Sequence, residues 1–320
     1  MLRFIFNTST GAVLDFLTYY FPVSGVETSL LLPPAVAFVI SFFASMGGVT
    51  GAFLILPFQM SVLHFTTPSV SSTNFVYNIA AIPSGVYQYI KEGRMLWPLA
   101  WTIIIGTLPG ILIGYYIRVY FFLDPRNFKL FVGCVLLYLA VRLIYQVAAK
   151  GKRRNSHENA VKSREGAHGW ELNNVSVTWR RTEYLFQGER YSYGTSAIFF
   201  FSFAVGIVGG IYGIGGGAIV APFCVAVFHL PVYTIAGATL LGTFTSSIAG
   251  VLFYSLVPGP EGLSTSPDWI LGLLFGAGGF AGVYMGARLQ KYMPERFIKI
   301  LLGAAALFVA LRYMGQFLFR

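Results

Sequence analysis

Two long stretches of the chain contain no charged residue. Positions 28–90 and 191–260 lack Asp, Glu, Lys and Arg, and these runs are 63 and 70 residues long. A membrane-spanning helix needs roughly 20 consecutive apolar residues, so each run is long enough for more than one crossing. The whole chain is 56% hydrophobic and 11% charged, which is not the composition of a soluble domain. The sequence therefore predicts an all-α integral membrane protein.

Charged residues are concentrated at positions 150–193, where nine of the 22 basic residues lie beside five acidic ones. The net charge is +10, but this clustering follows the positive-inside pattern of membrane proteins and forms no nucleic-acid-binding stripe. We therefore expect a multi-pass protein of the plasma membrane with a cytoplasmic connector at 150–193. Alternating apolar residues between Val175 and Phe186 predict a small β-hairpin within this connector.

A glycine-rich motif occurs twice in the chain. Residues 209–217 contain six glycines, and the shorter motif 47–51 contains three. An offset of 165 residues relates Gly51 to Gly216 and Pro57 to Pro222. Further pairs at this offset are His64 with His229, Gly85 with Gly250, and Tyr89 with Tyr254, while Lys129 with Lys299, Gly133 with Gly303, and Arg142 with Arg312 follow at an offset of 170. The sequence therefore predicts a duplicated membrane protein with a broken helix in each copy.

This repeat defines the boundaries of the predicted units. Residues 1–28 are expected to form an interfacial helix, 29–149 repeat one, 150–193 the connector and 194–320 repeat two. The predicted membrane segments lie near 30–46, 51–64, 66–90, 95–121 and 126–149, and near 195–213, 216–230, 231–257, 267–290 and 295–318. The second segment is short, so it is either a tilted span or one arm of a re-entrant hairpin.

Loop charges predict that the two repeats cross the membrane in opposite directions. The loop 91–94 is basic, whereas its counterpart near 258–268 has no Lys or Arg. With the basic run 150–154 inside, the assignment that fits best has inverted-topology repeats and an external C-terminus. It also puts three basic residues on the outer side: Arg118, Arg126 and Lys129. Many secondary transporters have this architecture, with broken helices that meet near the membrane midplane.

The membrane segments offer few groups for catalysis. They hold no buried carboxylates, Cys–His pair or metal-ligand cluster, so we expect neither an enzyme nor a metal or cofactor. Cys134 and Cys224 lie in different apolar segments and are expected to be small core residues. His64 and His229 are the groups in the uncharged runs that titrate near neutral pH. They are either structural histidines near helix ends or a proton-coupling pair.

A polar helix face follows each glycine break. Asn74 and Asn78 are four residues apart and share one face, and Thr239 and Thr243 are their equivalents at the 165-residue offset. Such amides and hydroxyls either bind a ligand without placing a full charge in lipid, or they hydrogen-bond neighbouring helices.

The glycines themselves have two interpretations. They either allow close helix packing or present helix N-termini, whose N–H groups and partial positive charge favour anions. The candidate substrate-binding residues are Gly48, Gly51, Thr73, Asn74, Asn78, Gly213, Gly216, Thr239, Thr243 and Ser246.

Together these motifs resemble the TauE/SafE family of membrane transporters, often labelled sulfite exporters. The family pattern is a glycine-rich turn, an apolar run to a proline, an Ala/Thr/Ser-rich helix, a Gly-basic turn and a Trp. In this sequence it reads Gly213 to Pro222 with Ala238-Thr239, and Gly47 to Pro57 with Gly93-Arg94 and Trp97. The resemblance covers about 30–149 and 194–318. It implies transport of small organosulfur anions such as sulfite or sulfonates.

We therefore expect an exporter of a small organosulfur anion that works by alternating access. A membrane potential drives an anion outward by about 2.3 kcal/mol per charge per 100 mV, so export needs no coupling ion. Two alternatives stay open: proton-coupled uptake of a similar anion, and a signalling protein whose working part is the connector. The expected partners are the anionic substrate and the lipid bilayer, without nucleic acid and with homodimerisation left open.

Overall fold

The computed structural model describes residues 18–46, 49–148, 172–186, 188–228, 230–260, 263–289, 293 and 295–318. The helices in these ranges are α1 (Leu32–Met46), α2 (Ala52–Ser61), α3 (Ser69–Ala81), α4 (Pro83–Lys91), α5 (Trp97–Tyr120), α6 (Pro125–Ala148), α7 (Thr195–Tyr212), α8 (Gly217–Val227), α9 (Val232–Leu256), α10 (Trp269–Leu289) and α11 (Glu295–Leu318). The strands are β1 (Thr18–Phe21), β2 (Val26–Ser29), β3 (Leu172–Val177), β4 (Thr182–Phe186) and β5 (Glu189–Tyr193).

Helix length separates the spans from the shorter helices. Among the described residues, six helices are long and apolar enough to cross a membrane: α5, α6, α7, α9, α10 and α11. By contrast, α2 and α8 have 10 and 11 residues. At 1.5 Å per residue each covers about 15 Å, half of a hydrocarbon core about 30 Å thick. This length favours a re-entrant arm over a tilted span for both helices.

The predicted membrane segments coincide with helices to within a few residues, except for 66–90. That segment is divided into α3 and α4 at Ile82. Pro83 lacks an N–H group and cannot continue the hydrogen-bond ladder of α3, but it fits the first turn of α4. The equivalent helix of the second half, α9, is continuous over 25 residues. The two halves therefore differ at this position.

In the described part of the N-terminal segment, residues 18–28, the structure has strands where we predicted an interfacial helix. Residues 1–17 lie outside the described part of the chain, and residues 18–29 form an antiparallel hairpin of β1 and β2. The strand residues Thr18 to Phe21 are aromatic or β-branched, which favours a strand, and Gly25 takes a φ of +67° in the turn. The hydroxyl of Ser24 donates to the Asp268 carboxylate at 2.8 Å and attaches the hairpin to the start of α10.

The second part of the connector forms more than the predicted hairpin. β3, β4 and β5 make an antiparallel three-stranded sheet in that order. Tyr184 is fully buried, its hydroxyl hydrogen-bonds the Thr234 hydroxyl of α9 at 3.0 Å, and burial raises its pKa. Thr182 hydrogen-bonds Thr195 at the start of α7 at 2.8 Å. The sheet is therefore attached to the helices of the second half. The first part, 150–171, lies outside the described residues.

Glycines bring the first half of the chain against the second. Gly106, Gly110 and Gly114 lie one turn apart on α5, which packs along α7. A Cβ added at Gly110 would lie 2.4 Å from the Phe203 carbonyl oxygen and 2.8 Å from the Ile207 nitrogen. Because the opposing atoms are backbone, they cannot rotate away. The glycines allow the two helix backbones to touch.

The same arrangement recurs between α1 and α10. Gly278, Gly282 and Gly286 follow the α5 glycines at an offset of 172 residues. A Cβ at Gly282 would lie 2.5 Å from the carbonyl oxygen of Phe38 in α1. The remaining contacts follow the repeat too, since α3 packs on α10 as α9 packs on α5, and α6 packs on α11. Exchanging the halves therefore reproduces these main helix contacts, as the predicted duplication requires.

We expect Gly110→Ala to lower the thermal unfolding temperature. The added methyl group would overlap the α7 backbone, and overpacking of this kind costs about 1–3 kcal/mol. The matched control is Gly315→Ala in α11, where nothing lies within 4 Å of the added Cβ and helix propensity gains about 1 kcal/mol. Circular dichroism of the purified variants in detergent measures both changes. Equal shifts for the two variants would contradict the close-packing interpretation.

Candidate functional site

The predicted helix break is present in the second half. Helix α7 ends at Tyr212, Gly213 has a φ of +85° and Gly215 a φ of +69°, and α8 begins at Gly217. These φ angles are in the left-handed region, where a side chain would be strained. In the first half, α1 ends at Met46 and α2 begins at Ala52, so the helical path is interrupted there as well.

Donors from α3 bond the carbonyl groups at the end of α7. They lie on one face of α3, at positions i, i+3 and i+7. The bonds run from Ser71 Oγ to the Ile211 oxygen at 3.0 Å, from Asn74 Nδ2 to the Gly213 oxygen at 3.0 Å, and from Asn78 Nδ2 to the Ile214 oxygen at 3.3 Å. The end of a helix leaves carbonyl groups without intrahelical partners. The first half therefore supplies the missing partners to the broken helix of the second.

Asn74 also joins the two interrupted regions. Its Nδ2 donates both to the Gly213 oxygen at 3.0 Å and to the Ala52 oxygen, in the first turn of α2, at 3.1 Å. Nearby, the Tyr212 hydroxyl donates to the Phe53 oxygen at 2.7 Å. The structure thus brings the short helix of one half against the break of the other.

Hydroxyl groups of α9 bond the amide groups at the start of α8. The Gly217 N–H donates to Thr243 Oγ1 at 2.9 Å, and the Gly216 N–H donates to Ser246 Oγ at 3.4 Å. Sequence reasoning identified Gly216, Thr243 and Ser246 as candidate ligand contacts, but it did not foresee that the two hydroxyl groups would accept hydrogen bonds from the amides of Gly216 and Gly217. Two amide groups at the start of α8 are therefore bonded by side chains of the protein itself.

Two other candidates, Thr73 and Thr239, have different partners. Thr73 Oγ1 accepts the Asp268 N–H at 2.9 Å, so it faces the loop before α10. Thr239 Oγ1 donates to carbonyl groups of its own helix, at Ile235 and Ala236. The equivalence of Thr239 with Asn74 therefore does not extend to their hydrogen bonds.

Of the remaining candidates, Gly51 and His64 lie in the described residues. A Cβ at Gly51 would lie 2.7 Å from the Tyr77 hydroxyl, so Gly51 allows Tyr77 to approach the start of α2. His64 is exposed, three residues after α2, with a φ of 55°. Gly48 and His229 lie outside the described residues.

Acceptors without a donor remain on the α3 face. Asn74 Oδ1 and Asn78 Oδ1 are buried, and neither has a hydrogen-bond partner among the described residues. Each Nδ2 is committed to a carbonyl group, so each oxygen is oriented away from the bonded backbone. Buried polar atoms of this kind normally have a partner. The face therefore has hydrogen-bonding capacity that the described protein atoms do not use.

Sequence reasoning missed Arg118. The loop charges predict only that Arg118 lies at the outer side of segment 95–121, whereas the structure places it in the last turn of α5 with 0% exposure. Its Nε donates to Ser71 Oγ at 3.4 Å, which places it next to the donors of the α7 end. A sequence signal was available, since Arg118 is the one charged residue between positions 95 and 123. An isolated charge in a membrane segment indicates a functional site.

Thr243→Val should destabilise the protein by about 1–3 kcal/mol. This nearly isosteric change removes the acceptor of the Gly217 N–H and leaves that buried donor unbonded. The control is Thr245→Val in the same helix, because Thr245 Oγ1 donates to the Leu241 oxygen within its own helix. Thermal unfolding in detergent compares the two variants, and a larger loss for Thr245→Val would refute the capping role.

Among the described residues, no three His, Cys, Asp or Glu side chains are close enough to hold a metal ion. Both cysteines are free thiols; Cys224 is buried, as predicted for a core residue, but Cys134 is exposed, so the prediction is wrong for Cys134.

Comparison with known proteins agrees with the architecture. The family model described as Sulfite exporter TauE/SafE matches residues 34–313. The chain is 22% identical over 282 residues to the Probable membrane transporter protein YunE of Bacillus subtilis (strain 168), across 86% of this chain and 93% of that relative. No solved structure matches the chain. The family match covers the helices of both halves and both interrupted regions. The chain therefore belongs to the sulfite exporter TauE/SafE family and is a multi-pass membrane transporter, which excludes an enzymatic role.

Proposed function

We propose that this transporter carries small organosulfur oxyanions, such as sulfite or sulfonates, outward by alternating access around the α7–α8 break. The observation that carries this proposal is the charge of the interior. Buried neutral donors surround the break, and among the described helices the one carboxylate belongs to Glu295, at the first position of α11. An interior with neutral donors and almost no carboxylates favours an anion over a cation. The family description, sulfite exporter, supports the same class of substrate.

The start of α8 would bind the anion through an exchange of hydrogen-bond partners. A helix N-terminus carries about half a positive charge together with unpaired N–H groups. In the structure these N–H groups donate to Thr243 and Ser246. A hydroxyl group is both donor and acceptor, so an arriving anion takes the N–H groups while the hydroxyl groups rotate and donate to it. The protein thus keeps the amides satisfied before the substrate arrives.

Alternating access follows from the division of the site between the halves. The α3 donors belong to the first half, and the break belongs to the second. A rotation of one half against the other separates these two surfaces on one side and closes them on the other. We place the two repeats in opposite orientations within the plasma membrane, with residues 150–193 in the cytoplasm, on the basis of the loop charges.

In proteoliposomes, we expect methanesulfonate to distribute according to the membrane potential. An inside-negative potential of about 100 mV corresponds to about 2.3 kcal/mol per charge, which is roughly a 50-fold ratio between outside and inside. We further expect Asn78→Leu to slow the flux about tenfold through loss of a polar contact. Asn127→Leu, the same change at an exposed position, should leave the flux unchanged.

A distribution that ignores the potential and follows an imposed pH gradient would instead favour proton-coupled uptake. The connector alternative has its own control, a deletion of 155–170. This deletion stops before Leu172, so it keeps the sheet and its buried Tyr184. Wild-type transport by the deletion variant argues against a signalling role for that part of the connector.

We expect His64→Gln to leave the pH profile of transport unchanged. His64 is exposed in the loop after α2, and none of the described hydrogen bonds at the break involves it. Transport rates between about pH 5 and 8, where histidine titrates, provide the measurement, with His229→Gln and the double variant tested in parallel. A profile that flattens in the double variant would establish the proton-coupling role considered above.

A further inference from the structure

Arg118 is a full positive charge enclosed by the protein. Its side chain is 0% exposed, and it is the largest fully buried side chain in the described residues. It lies on α5, one of the six helices long enough to span a membrane. Charged side chains at membrane depth are costly, and they normally pair with a counter-charge or face a polar cavity.

The described contacts of Arg118 include no carboxylate. Nε donates to Ser71 Oγ at 3.4 Å, Nη2 donates to the Thr66 carbonyl oxygen at 3.4 Å, and Nη1 donates to the Phe122 carbonyl oxygen. The Cζ atom lies 3.6 Å from the centre of the Phe128 ring. A guanidinium group has five N–H donors. Three are used by these bonds, so the described residues leave donors unused as well as the charge unpaired.

These neutral contacts offset the burial of the charge without cancelling it. Carbonyl dipoles and an aromatic face each contribute part of the stabilisation that a carboxylate would give. An isolated buried cation is expensive, and an ion that arrives with the opposite charge removes much of that cost. The site is therefore electrostatically incomplete until an anion enters it.

Ser71 connects Arg118 to the break. Its hydroxyl accepts from Arg118 and donates to the Ile211 oxygen at 3.0 Å. Ser71, Asn74 and Asn78 share one face of α3 over seven residues, which corresponds to about 10 Å at 1.5 Å per residue. A polar stripe therefore runs from Arg118 along α3 to the break, and the charge stands at one end of it.

We propose that Arg118 is a binding residue for the transported anion and selects oxyanions. The planar guanidinium group pairs two parallel N–H donors with two oxygens of one sulfite or sulfonate group, a geometry that a halide cannot match. On binding, the anion takes the N–H groups that donate over long distances to Ser71 and Thr66, and the Ser71 hydroxyl continues to donate to the Ile211 oxygen. This inference rests on the proposed function, because it assigns a charge to the path of the same anion.

The test compares two substitutions of Arg118 with one of Arg126. Arg118→Lys keeps the positive charge but loses the pair of parallel N–H donors, and Arg118→Gln removes both. Arg126→Gln is the matched control, since Arg126 is exposed and lies on the same side of the bundle near the start of α6. The readouts are the dissociation constants for sulfite and methanesulfonate by calorimetry, the counterflow rate in proteoliposomes, and the unfolding temperature without anion.

We expect both Arg118 variants to raise the two dissociation constants about tenfold or more, as loss of a charge-assisted hydrogen bond does, with a matching fall in counterflow. Arg126→Gln should stay within about twofold of wild type. If Arg118→Gln does not fold, the comparison of Arg118→Lys with wild type is sufficient to test the inference.

Three results would overturn the inference. If Arg118→Lys binds both anions with wild-type affinity, even with a lower unfolding temperature, the guanidinium group stabilises the fold and does not bind the anion. If chloride competes with sulfite as effectively as methanesulfonate does, the site is not selective for oxyanions. A wild-type protein that neither binds nor exchanges these anions overturns the proposed function together with this inference, whereas the first two results leave the function standing.

Discussion

A helix that stops inside a membrane exposes backbone groups that lipid cannot hydrogen-bond, and the rest of this structure is arranged to satisfy them. The carbonyl groups at the end of α7 are bonded by Ser71, Asn74 and Asn78 from α3. The amide groups at the start of α8 are bonded by Thr243 and Ser246 from α9. The first half therefore bonds the carbonyl side of the break, and the second half bonds the amide side itself.

Close backbone approach makes this meeting possible. The glycine stripes of α5 and α10 let each half pack its helix against the first helix of the other. The same approach brings Thr107 of α5 so near the break that a Cβ at Gly216 would lie 2.5 Å from its methyl group. Small residues thus serve two purposes here: they pack the bundle, and they shape the chain around the break. The close-packing interpretation of the glycines is therefore confirmed by the structure, and anion binding at the helix N-terminus stays a prediction.

The sequence was sufficient to predict the membrane helices, because uncharged runs and an internal repeat leave few alternatives, and the clustered glycines predicted the break. It did not predict the interruption at Pro83. This proline divides segment 66–90 into α3 and α4, whereas the equivalent segment of the second half is the single helix α9. The N-terminal hairpin was missed because aromatic residues suit an interface and a strand equally well. Hydrogen-bond partners such as Asp268 for Thr73 depend on which face of α3 meets which helix, and repeat spacing does not contain that information. The burial of Arg118 depends likewise on how the loops fold over the end of α5.

The interruption between α3 and α4 makes the two halves mechanically unequal. The first half has a joint between two helices at Ile82–Pro83, whereas its equivalent α9 is one continuous helix of 25 residues. Two identical halves would give inward-open and outward-open conformations of equal free energy. With a joint in one half alone, bending costs less on one side of the membrane than on the other. In the alternating-access cycle that we propose, the empty carrier would then have a resting side, set by the placement of a single proline before any gradient acts on it.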